Sequence, residues 1–306
     1  GGDNMLALIA QSPPGTYDVI LSDAEFVQQL NAAGYIEELN AADYPFDDMV
    51  HEDFKKFPGH WKDGKLYSVM VRFGLLGVSY NTKAVSDAEA ASYKCFWKPE
   101  LKGKVGHFDW HLPNLGQISL YNGNGKNLWN IDKGQWDKVK ATAKSLRPQV
   151  GGFFDYGGTF NGLKTGEMLA MAGIGDWITG VLERDGAPVK SMIPKEGGIQ
   201  FTESYSIGKG SSKAAIVKKF IQYMLSPEGQ VKSANMAAYP ANIVTNKGRK
   251  ALQDKNPKEA QRSNQVDGAA LDPVKLIKDG RIQYRDIPRQ QSLEEWNDFW
   301  QEYKSA

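Results

Sequence analysis

The sequence predicts an α/β fold in which mainly parallel sheets are flanked by helices. Short β-prone runs alternate with capped or amphipathic helical segments along most of the chain, the pattern that builds parallel sheets. A length of 306 residues is enough for two domains, and 41% apolar residues are enough to build a hydrophobic core. No internal repeat or low-complexity tract interrupts the alternation.

Each predicted element rests on residue propensities and on the turn or cap signals at its ends. Val, Ile, Tyr and Phe are frequent in the predicted strands, at residues 17–21, 66–80 (with a bend at two glycines), 105–108, 150–154, 189–193 and 199–207. Apolar spacing and capping residues predict helices at 5–10, 25–33, 84–93, 136–145, 178–185, 214–225, 227–238 and 292–304. The polar residues and prolines of 43–61 predict loops, and the Asp-Gly pair within 62–65 predicts a hairpin turn. No element is predicted in the glycine- and asparagine-rich stretch 114–130.

The composition excludes several classes of protein. Lys and Arg total 37 against 36 Asp and Glu, a net charge of +1, so no sequence-wide basic field exists to hold a nucleic acid. The longest apolar stretches, such as 5–10 and 75–78, fall far short of the roughly 18 residues of a membrane helix. The single cysteine, Cys95, excludes an internal disulfide and every multi-cysteine metal site, and we predict that it is a packed thiol.

The start of the sequence is unusual. Its first residue is glycine, and no basic region, apolar stretch and small-residue cleavage site of a signal peptide are visible. We therefore expect that the chain begins inside a longer protein. Any export signal and any first strand would then precede Gly1.

The familiar catalytic and cofactor motifs do not account for this sequence. His107 and His111 have the spacing of two ligands on a helix, but Pro113 follows and the residues between them are strand-like, so no zinc site is predicted. No Gly-x-Ser-x-Gly elbow occurs, and the glycines at 123–125 lack the spacing of a phosphate loop. We predict no catalytic residue, no metal and no cofactor, and therefore not an enzyme.

Aromatic and charged residues instead follow several predicted strands. In open α/β sheets, ligands bind at the carboxyl ends of strands, and aromatic faces combined with carboxylates suit an organic cation. Arg72 is exceptional because an arginine inside an apolar run needs a carboxylate or a ligand as its partner. The candidate ligand-binding residues are Ser22, Asp23, Arg72, Phe73, Asp155, Tyr156, Asp176, Trp177, Phe201, Glu203 and Tyr239.

Several segments, in order, resemble the spermidine/putrescine-binding family of bacterial extracellular solute-binding proteins. Residues 17–22 resemble the family's "YDVVVPS", residues 67–81 its "YSIPYxWGTTGIGYN", and residues 97–105 its "LWKPEYKGKV". Residues 166–176 resemble "GEvxlxxxWsGDA", residues 194–198 are its "PKEGG", residues 214–227 match "AxxFINFLLxPE", and residues 239–242 resemble "GYPTPN". The match runs along nearly the whole chain.

The resemblance implies a two-lobed periplasmic-binding-protein fold of type II that closes on a ligand around a hinge. It also implies that the family's first strand and helix precede Gly1. The lobes would be 1–104 with 206–270, and 105–205 with 271–306. Such a protein captures a small-molecule solute in the periplasm, or outside a Gram-positive cell on a membrane tether. It delivers the solute to the permease subunits of an ABC importer, and we expect a monomer without chemistry of its own.

The solute is less constrained, because the chain departs from the family at its site. Phe201-Thr202-Glu203 stands where polyamine binders have Trp-x-Asp, Gly173 replaces a stacking tryptophan, and Arg72-Phe73-Gly74 stands where they have Trp-Gly. The first hypothesis is a polyamine or related amine held by carboxylates and aromatic rings. The second is a carboxylate-bearing or zwitterionic solute anchored by Arg72, whose guanidinium can bind a carboxylate in bidentate fashion.

The sequence argues against two other classes of protein. An enzyme on the same scaffold would need a paired nucleophile and base, and the sequence shows none. An iron importer would need clustered tyrosines, whereas Tyr156, Tyr205 and Tyr239 are not adjacent.

Overall fold

The computed structural model describes residues 2–306, with side chains from Asn4 onward. The chain forms two compact units: unit 1 is Gly1–Phe73 with Phe201–Lys275, and unit 2 is Gly74–Gln200 with Leu276–Ala306. The chain thus passes between the units at 73–74, 200–201 and 275–276. The first passage comes well before the predicted 104–105, because the strand Val78–Asn81 pairs with strands 170–172 and 189–192 of unit 2.

The strands and helices follow one another as the alternation predicts. The strands are β1 Val19–Asp23, β2 Trp61–Lys62, β3 Lys65–Leu66, β4 Val69–Leu76, β5 Val78–Asn81, β6 Val105–Phe108, β7 Val150–Phe154, β8 Ala170–Ala172, β9 Val189–Met192, β10 Gly198–Ile207 and β11 Ile282–Tyr284. The helices are α1 Gly2–Ala10, α2 Val27–Ala32, α3 Glu52–Lys55, α4 Asp87–Ala90, α5 His111–Tyr121, α6 Lys133–Leu146, α7 Tyr156–Thr165, α8 Asp176–Arg184, α9 Ala214–Leu225, α10 Pro227–Ala234, α11 Asn246–Lys255, α12 Pro257–Arg262, α13 Pro273–Lys278 and α14 Leu293–Ser305. Short 3₁₀ turns occupy Ala24–Phe26, Ala41–Asp43, Phe46–Asp48, Tyr93–Trp97, Pro99–Leu101, Gly125–Asn127 and Arg147–Gln149.

Unit 1 is organised around strand β10. Strand β1 pairs antiparallel with its second half, from Val19 opposite Ile207 to Asp23 opposite Glu203. Side chains directly opposite each other in such a ladder point to the same face. Asp23 and Glu203 therefore share a half-buried face, whereas their strand neighbours Ser22 and Ser204 point to the opposite face and are buried.

The core of unit 1 contains residues 69–73 of strand β4, all of which are buried. The amide of the buried Gln230, in α10, donates 3.0 Å to the carbonyl of Val71 and accepts 2.8 Å from the backbone of Val244. The predicted hairpin turn is confirmed: β2 and β3 pair across Asp63 and Gly64, both with positive φ, the conformation of a tight primed turn.

Within residues 2–306, the sheet of unit 2 has the strand order β7-β6-β8-β5-β9. Strand β6 runs parallel to both β7 and β8, whereas β5 is antiparallel to β8 and β9. Strands β7, β6, β8 and β9 of this sheet therefore run in the same direction, and β5 runs against them. Because β7, β6 and β8 run the same way, the residues that follow them lie at one edge of the sheet.

The core of unit 2 is rich in aromatic rings. Trp136 of α6 stacks on Trp296 of α14 with ring centres 5.0 Å apart. The buried His107 of β6 lies 2.6 Å from the Asn114 side chain and 3.1 Å from the Tyr303 hydroxyl. Helix α14 is thereby fixed against the sheet. None of the helices within residues 2–306 combines the length and the apolar character that crossing a membrane requires.

Candidate functional site

Arg72 of unit 1 has a carboxylate partner, as expected for an arginine in an apolar strand. Its Nε donates to Oε2 of Glu203, and the two side chains are only 10% and 14% exposed. Strand β4 supplies the arginine and strand β10 supplies the glutamate, and these two strands pair with each other. An ion pair this deep stays formed only because each charge satisfies the other, since an unpaired buried charge is costly.

Aromatic rings complete the surroundings of this pair in unit 1. The guanidinium carbon of Arg72 lies 4.3 Å from the centre of the Tyr239 ring, within cation–π distance. The Tyr239 ring in turn stacks on Phe201, with centres 6.1 Å apart and planes 10° from parallel. The Tyr239 hydroxyl donates weakly to Oε1 of Glu203 at 3.5 Å, and Arg72 Nη1 lies 3.4 Å from Sδ of Met236. A carboxylate and a cation are therefore held beside two ring faces.

A second carboxylate lies on the same face of unit 1. Asp23 is directly opposite Glu203 in the β1–β10 ladder, and opposite residues have Cβ atoms roughly 5 Å apart. The cluster of Arg72, Glu203 and Asp23 therefore carries one more negative than positive formal charge. Like charges at opposite positions repel, so a nearby cation stabilises this arrangement.

Two predicted site residues of unit 1 point away from this cluster. Phe73 follows Arg72 on a strand, so its side chain points to the other face, where it is fully buried 5.2 Å from the ring of Phe54. Ser22 precedes Asp23 in the same way, and it is buried opposite Ser204. Both residues belong to the core, and we leave them out of the proposed site.

In unit 2 the residues that follow the parallel strands form an aromatic cluster. The ring of Tyr156, after β7, lies 4.6 Å from that of Phe108, at the end of β6, and 5.6 Å from that of Trp177, after β8. Tyr156 is 56% exposed, which is unusual for a ring with two aromatic neighbours. Two of the candidate residues that follow strands in the sequence, Tyr156 and Trp177, therefore lie next to each other at one end of the sheet.

The two predicted aspartates of unit 2 have local roles at helix starts. The carboxylate of Asp155 caps α7 and accepts from the backbone of Gly158 at 2.7 Å. Asp176 is the first residue of α8, where the helix dipole favours a negative charge. The cap explains Asp155 without a ligand, so we omit it from the proposed site and retain the half-buried Asp176.

The family's stacking tryptophan could not occupy position 173 in this structure. Gly173 has φ +79°, and a Cβ there would collide with the side chain of Asn114. Asn114 is itself held, because its amide donates to the carbonyls of Phe108 and Trp110 at 2.7 and 2.8 Å. Asn114 therefore fills the space beside this turn, and unit 2 differs from the polyamine pattern here.

Sequence reasoning missed three residues next to these clusters. Trp110 follows β6 in the same way as Tyr156 follows β7, and this similarity in position could have identified Trp110 as a candidate. The guanidinium carbon of the buried Arg285 lies 4.5 Å from the centre of the Trp110 ring, within unit 2. Arg285 follows β11, whose three residues gave no recognisable pattern, and Met236 gave no signal because methionine is common in cores.

Three of the four histidines and the cysteine are buried rather than arranged for chemistry. Burial lowers the pKa of His60 to about 3 and the pKa values of His107 and His111 to about 4, so all three imidazoles are neutral at pH 7. Burial raises the pKa of the Cys95 thiol to about 12, which confirms the prediction of a packed thiol. Within residues 2–306, no cluster of three or more His, Cys, Asp or Glu side chains could hold a metal ion.

Comparison with known proteins gives a consistent result. The model of the family "Bacterial extracellular solute-binding protein" matches residues 2–260. The spermidine/putrescine-binding periplasmic protein 1 of Haemophilus influenzae is 24% identical over 301 residues, which are 98% of this chain and 78% of the relative.

Solved structures share the fold at lower sequence identity. The spermidine/putrescine ABC transporter substrate-binding protein PotD of Streptococcus pneumoniae has a TM-score of 0.79 and 15% identity, covering 100% of this chain and 88% of its own. The periplasmic binding protein MotA of A. tumefaciens, solved with glucopine, has a TM-score of 0.69 and 18% identity, covering 99% of this chain and 86% of its own. With its alternating strands and helices, its paired carboxylates and its family match over most of its length, the chain belongs to the bacterial extracellular solute-binding proteins.

Proposed function

We propose that this protein is the solute-binding component of an ABC importer and that its solute is a small organic molecule carrying an amine. The observation that supports an amine solute is the pair of carboxylates, Asp23 and Glu203, on one face of unit 1 beside the stacked rings of Phe201 and Tyr239. Carboxylates bind an ammonium through charge-assisted hydrogen bonds, and ring faces add cation–π attraction. The names of the curated relative and of PotD support polyamines as the first class to test.

The aromatic cluster of unit 2 fits the same type of solute. The exposed ring of Tyr156 and the half-buried Trp177 offer apolar faces to an alkyl chain, and Asp176 adds a carboxylate beside them. Tyr156, Asp176 and Trp177 are therefore the residues of unit 2 that we assign to the solute. Asp23, Arg72, Phe201, Glu203 and Tyr239 are the corresponding residues of unit 1.

Isothermal titration calorimetry on the purified protein tests the amine directly. Putrescine, spermidine and butylamine are titrated beside 4-aminobutyrate and succinate, into wild type and into the variant Asp23→Asn. We expect at least one amine to bind and Asp23→Asn to weaken it about tenfold, since one charge-assisted contact is lost. Absence of binding by every amine, or unchanged amine binding by Asp23→Asn, would contradict the proposal.

A second candidate is a zwitterionic or carboxylate-bearing solute. Nη1 of Arg72 lies 3.4 Å from the thioether sulfur of Met236, and a thioether is a weak acceptor that a carboxylate easily displaces. Met236 is 40% exposed, so this side of Arg72 borders solvent. MotA, which shares the fold, was solved with glucopine. Tight binding of 4-aminobutyrate or succinate that Arg72→Ala abolishes would favour this candidate.

The transport setting follows from the family. We propose that the protein acts outside the cytoplasm, as a periplasmic or a membrane-tethered extracellular protein, and delivers its solute to the permease as a monomer without catalysis. Closure of the two lobes on the solute stays a prediction of the sequence resemblance. Small-angle X-ray scattering tests it: a smaller radius of gyration with bound solute is expected, and an unchanged one would argue against closure.

A further inference from the structure

The contacts of Arg72 are those of a bound ligand. Its guanidinium lies over the face of Tyr239 at 4.3 Å, its Nε donates to Glu203, and Tyr239 stacks on Phe201. A carboxylate beside an aromatic face is the arrangement that recognises an alkylammonium group. We call Phe201, Glu203 and Tyr239 the ammonium corner of unit 1.

A second buried arginine of unit 1 shows what a purely structural pair looks like. Arg249 binds Asp272 with both terminal nitrogens, at 2.8 and 2.7 Å, in the parallel fork that the two planar groups favour. The Arg249 side chain is 10% exposed, as is that of Arg72, and the Asp272 side chain is 12% exposed. Arg72 instead meets Glu203 through Nε, and its guanidinium carbon lies 4.3 Å from the centre of the Tyr239 ring. Its position is therefore set by the ring as well as by the carboxylate.

The ammonium corner is also close to solvent. Met236, whose sulfur lies 3.4 Å from Nη1 of Arg72, is 40% exposed, and Tyr239 is half-buried. A solute cation that entered this corner would meet the same carboxylate and the same ring face that Arg72 already contacts. Two cations at one carboxylate repel each other, so occupancy by Arg72 and by a second ammonium is mutually exclusive.

We propose that Arg72 is a built-in occupant of an ammonium-binding subsite formed by Phe201, Glu203 and Tyr239, and that it makes the protein discriminate against diamines. This inference rests on the proposed amine-binding function and names its specificity. The intact protein then takes solutes with one ammonium group in preference to solutes with two. Removal of the Arg72 side chain opens the subsite to a second ammonium.

The test compares two probes of equal chain length, putrescine and butylamine, by calorimetry. The variants are Arg72→Ala, Arg72→Gln, the double variant Arg72→Ala/Glu203→Gln, and the matched control Arg249→Ala. We expect Arg72→Ala and Arg72→Gln to raise the preference for putrescine over butylamine about tenfold relative to wild type. The double variant loses this gain, and Arg249→Ala keeps the wild-type preference. An unchanged or lower preference in both Arg72 variants would overturn the inference.

A second measurement does not require the alanine variant to be stable in isolation. Thermal unfolding of wild type, Arg72→Gln and Arg249→Ala is followed with ethylammonium chloride or with sodium chloride at equal concentration. Ethylammonium is expected to stabilise Arg72→Gln more than sodium does, and to give no such difference in wild type or Arg249→Ala. An equal effect of both salts on Arg72→Gln counts against an open ammonium subsite.

Failure of this inference is distinguishable from failure of the proposed function. If wild type binds putrescine and both Arg72 variants lose it, the amine function stands and the inference is overturned. If wild type binds no amine and the Arg72 variants gain putrescine, the inference stands and the proposed amine solute is wrong.

Discussion

Arg72 and Tyr239 stand in cation–π contact, with the guanidinium carbon 4.3 Å from the ring centre, while the same arginine is paired with Glu203. The three residues come from two paired strands and a loop, and they are mostly buried. A charge in such a setting depends on each of its neighbours, because water is largely absent to replace any of them. Replacement of one neighbour should therefore be measurable in both stability and affinity.

The replacement Glu203→Gln should be strongly destabilising. It leaves the Arg72 charge buried without its carboxylate, and the free energy of unfolding should fall by about 3 kcal/mol. Urea denaturation measures this loss. The exposed pair of Lys144 and Glu302 supplies the control, since Glu302→Gln should give no measurable change. Equal stability of Glu203→Gln and wild type would mean that the ion pair is not held in solution.

Two substitutions of Tyr239 separate its ring from its hydroxyl. Tyr239→Phe keeps the faces that meet Arg72 and Phe201 and removes a hydrogen bond of 3.5 Å, so stability and solute affinity should change little. Tyr239→Leu removes the aromatic face and should cost about 1 kcal/mol of stability. Because Tyr239→Leu removes the aromatic ring, it should also lower the affinity for the solute. Calorimetry and denaturation in parallel decide this, and a larger effect of Tyr239→Phe than of Tyr239→Leu would contradict it.

Tyr156 should matter for affinity and hardly for stability. Its ring is 56% exposed, so Tyr156→Ala removes little buried surface and should change the free energy of unfolding by less than about 1 kcal/mol. Solute affinity should fall about tenfold, as for an aromatic side chain in contact with a ligand. Tyr17→Ala, at a residue 38% exposed, is the control for general surface effects. Equal affinities of Tyr156→Ala and Tyr17→Ala would remove Tyr156 from the site.

His60 should make the protein less stable in acid. In the unfolded chain its imidazole takes up a proton below pH 6.5, whereas burial lowers the pKa of His60 to about 3 in the folded protein. The unfolded state thus binds more protons between these values, and stability is lost as the pH falls through this window. From pH 7 to pH 5 this group alone accounts for about 2 kcal/mol.

The variant His60→Asn isolates this contribution. Urea denaturation at pH 7 and pH 5 should show a loss of stability that is smaller in the variant than in wild type by about 2 kcal/mol. His107 and His111, whose pKa values burial also lowers, contribute with the same sign in both proteins. An identical loss in variant and wild type would show that His60 is not buried and neutral.

The fold was predictable where the local pattern and the tertiary environment agree. Strands 105–108 and 150–154 and helix 214–225 were predicted with the bounds that the structure has, because each shows a clear strand or helix pattern. Helix α5 escaped prediction because its residues from His111 to Leu120 are all buried, so it has no polar face and no amphipathic period. Proline and glycine within it masked the remaining signal.

The candidate site was predictable in its chemistry and only partly in its geometry. Arg72 and Glu203 were both identified, but they are 131 residues apart in sequence, and only the pairing of β4 with β10 brings them together. Phe73 and Ser22 were predicted beside Arg72 and Asp23, whereas neighbours along a strand point to opposite faces. The alternation of each strand would have shown that only one member of each pair can lie on the same face as Glu203.

Strand β4 passes from unit 1 to unit 2 after Phe73, and strand β10 enters unit 1 at Phe201. Arg72 is the residue before Phe73, and Glu203 lies two residues after Phe201. The ion pair therefore joins the two strands that continue into unit 2, and it contributes to this chain connection as well as to the proposed binding site. An engineer who redesigns specificity at Arg72 or Glu203 also alters how firmly the linking strands are joined. Changes of solute preference in this protein should therefore evolve together with changes in the mechanics of its connecting strands.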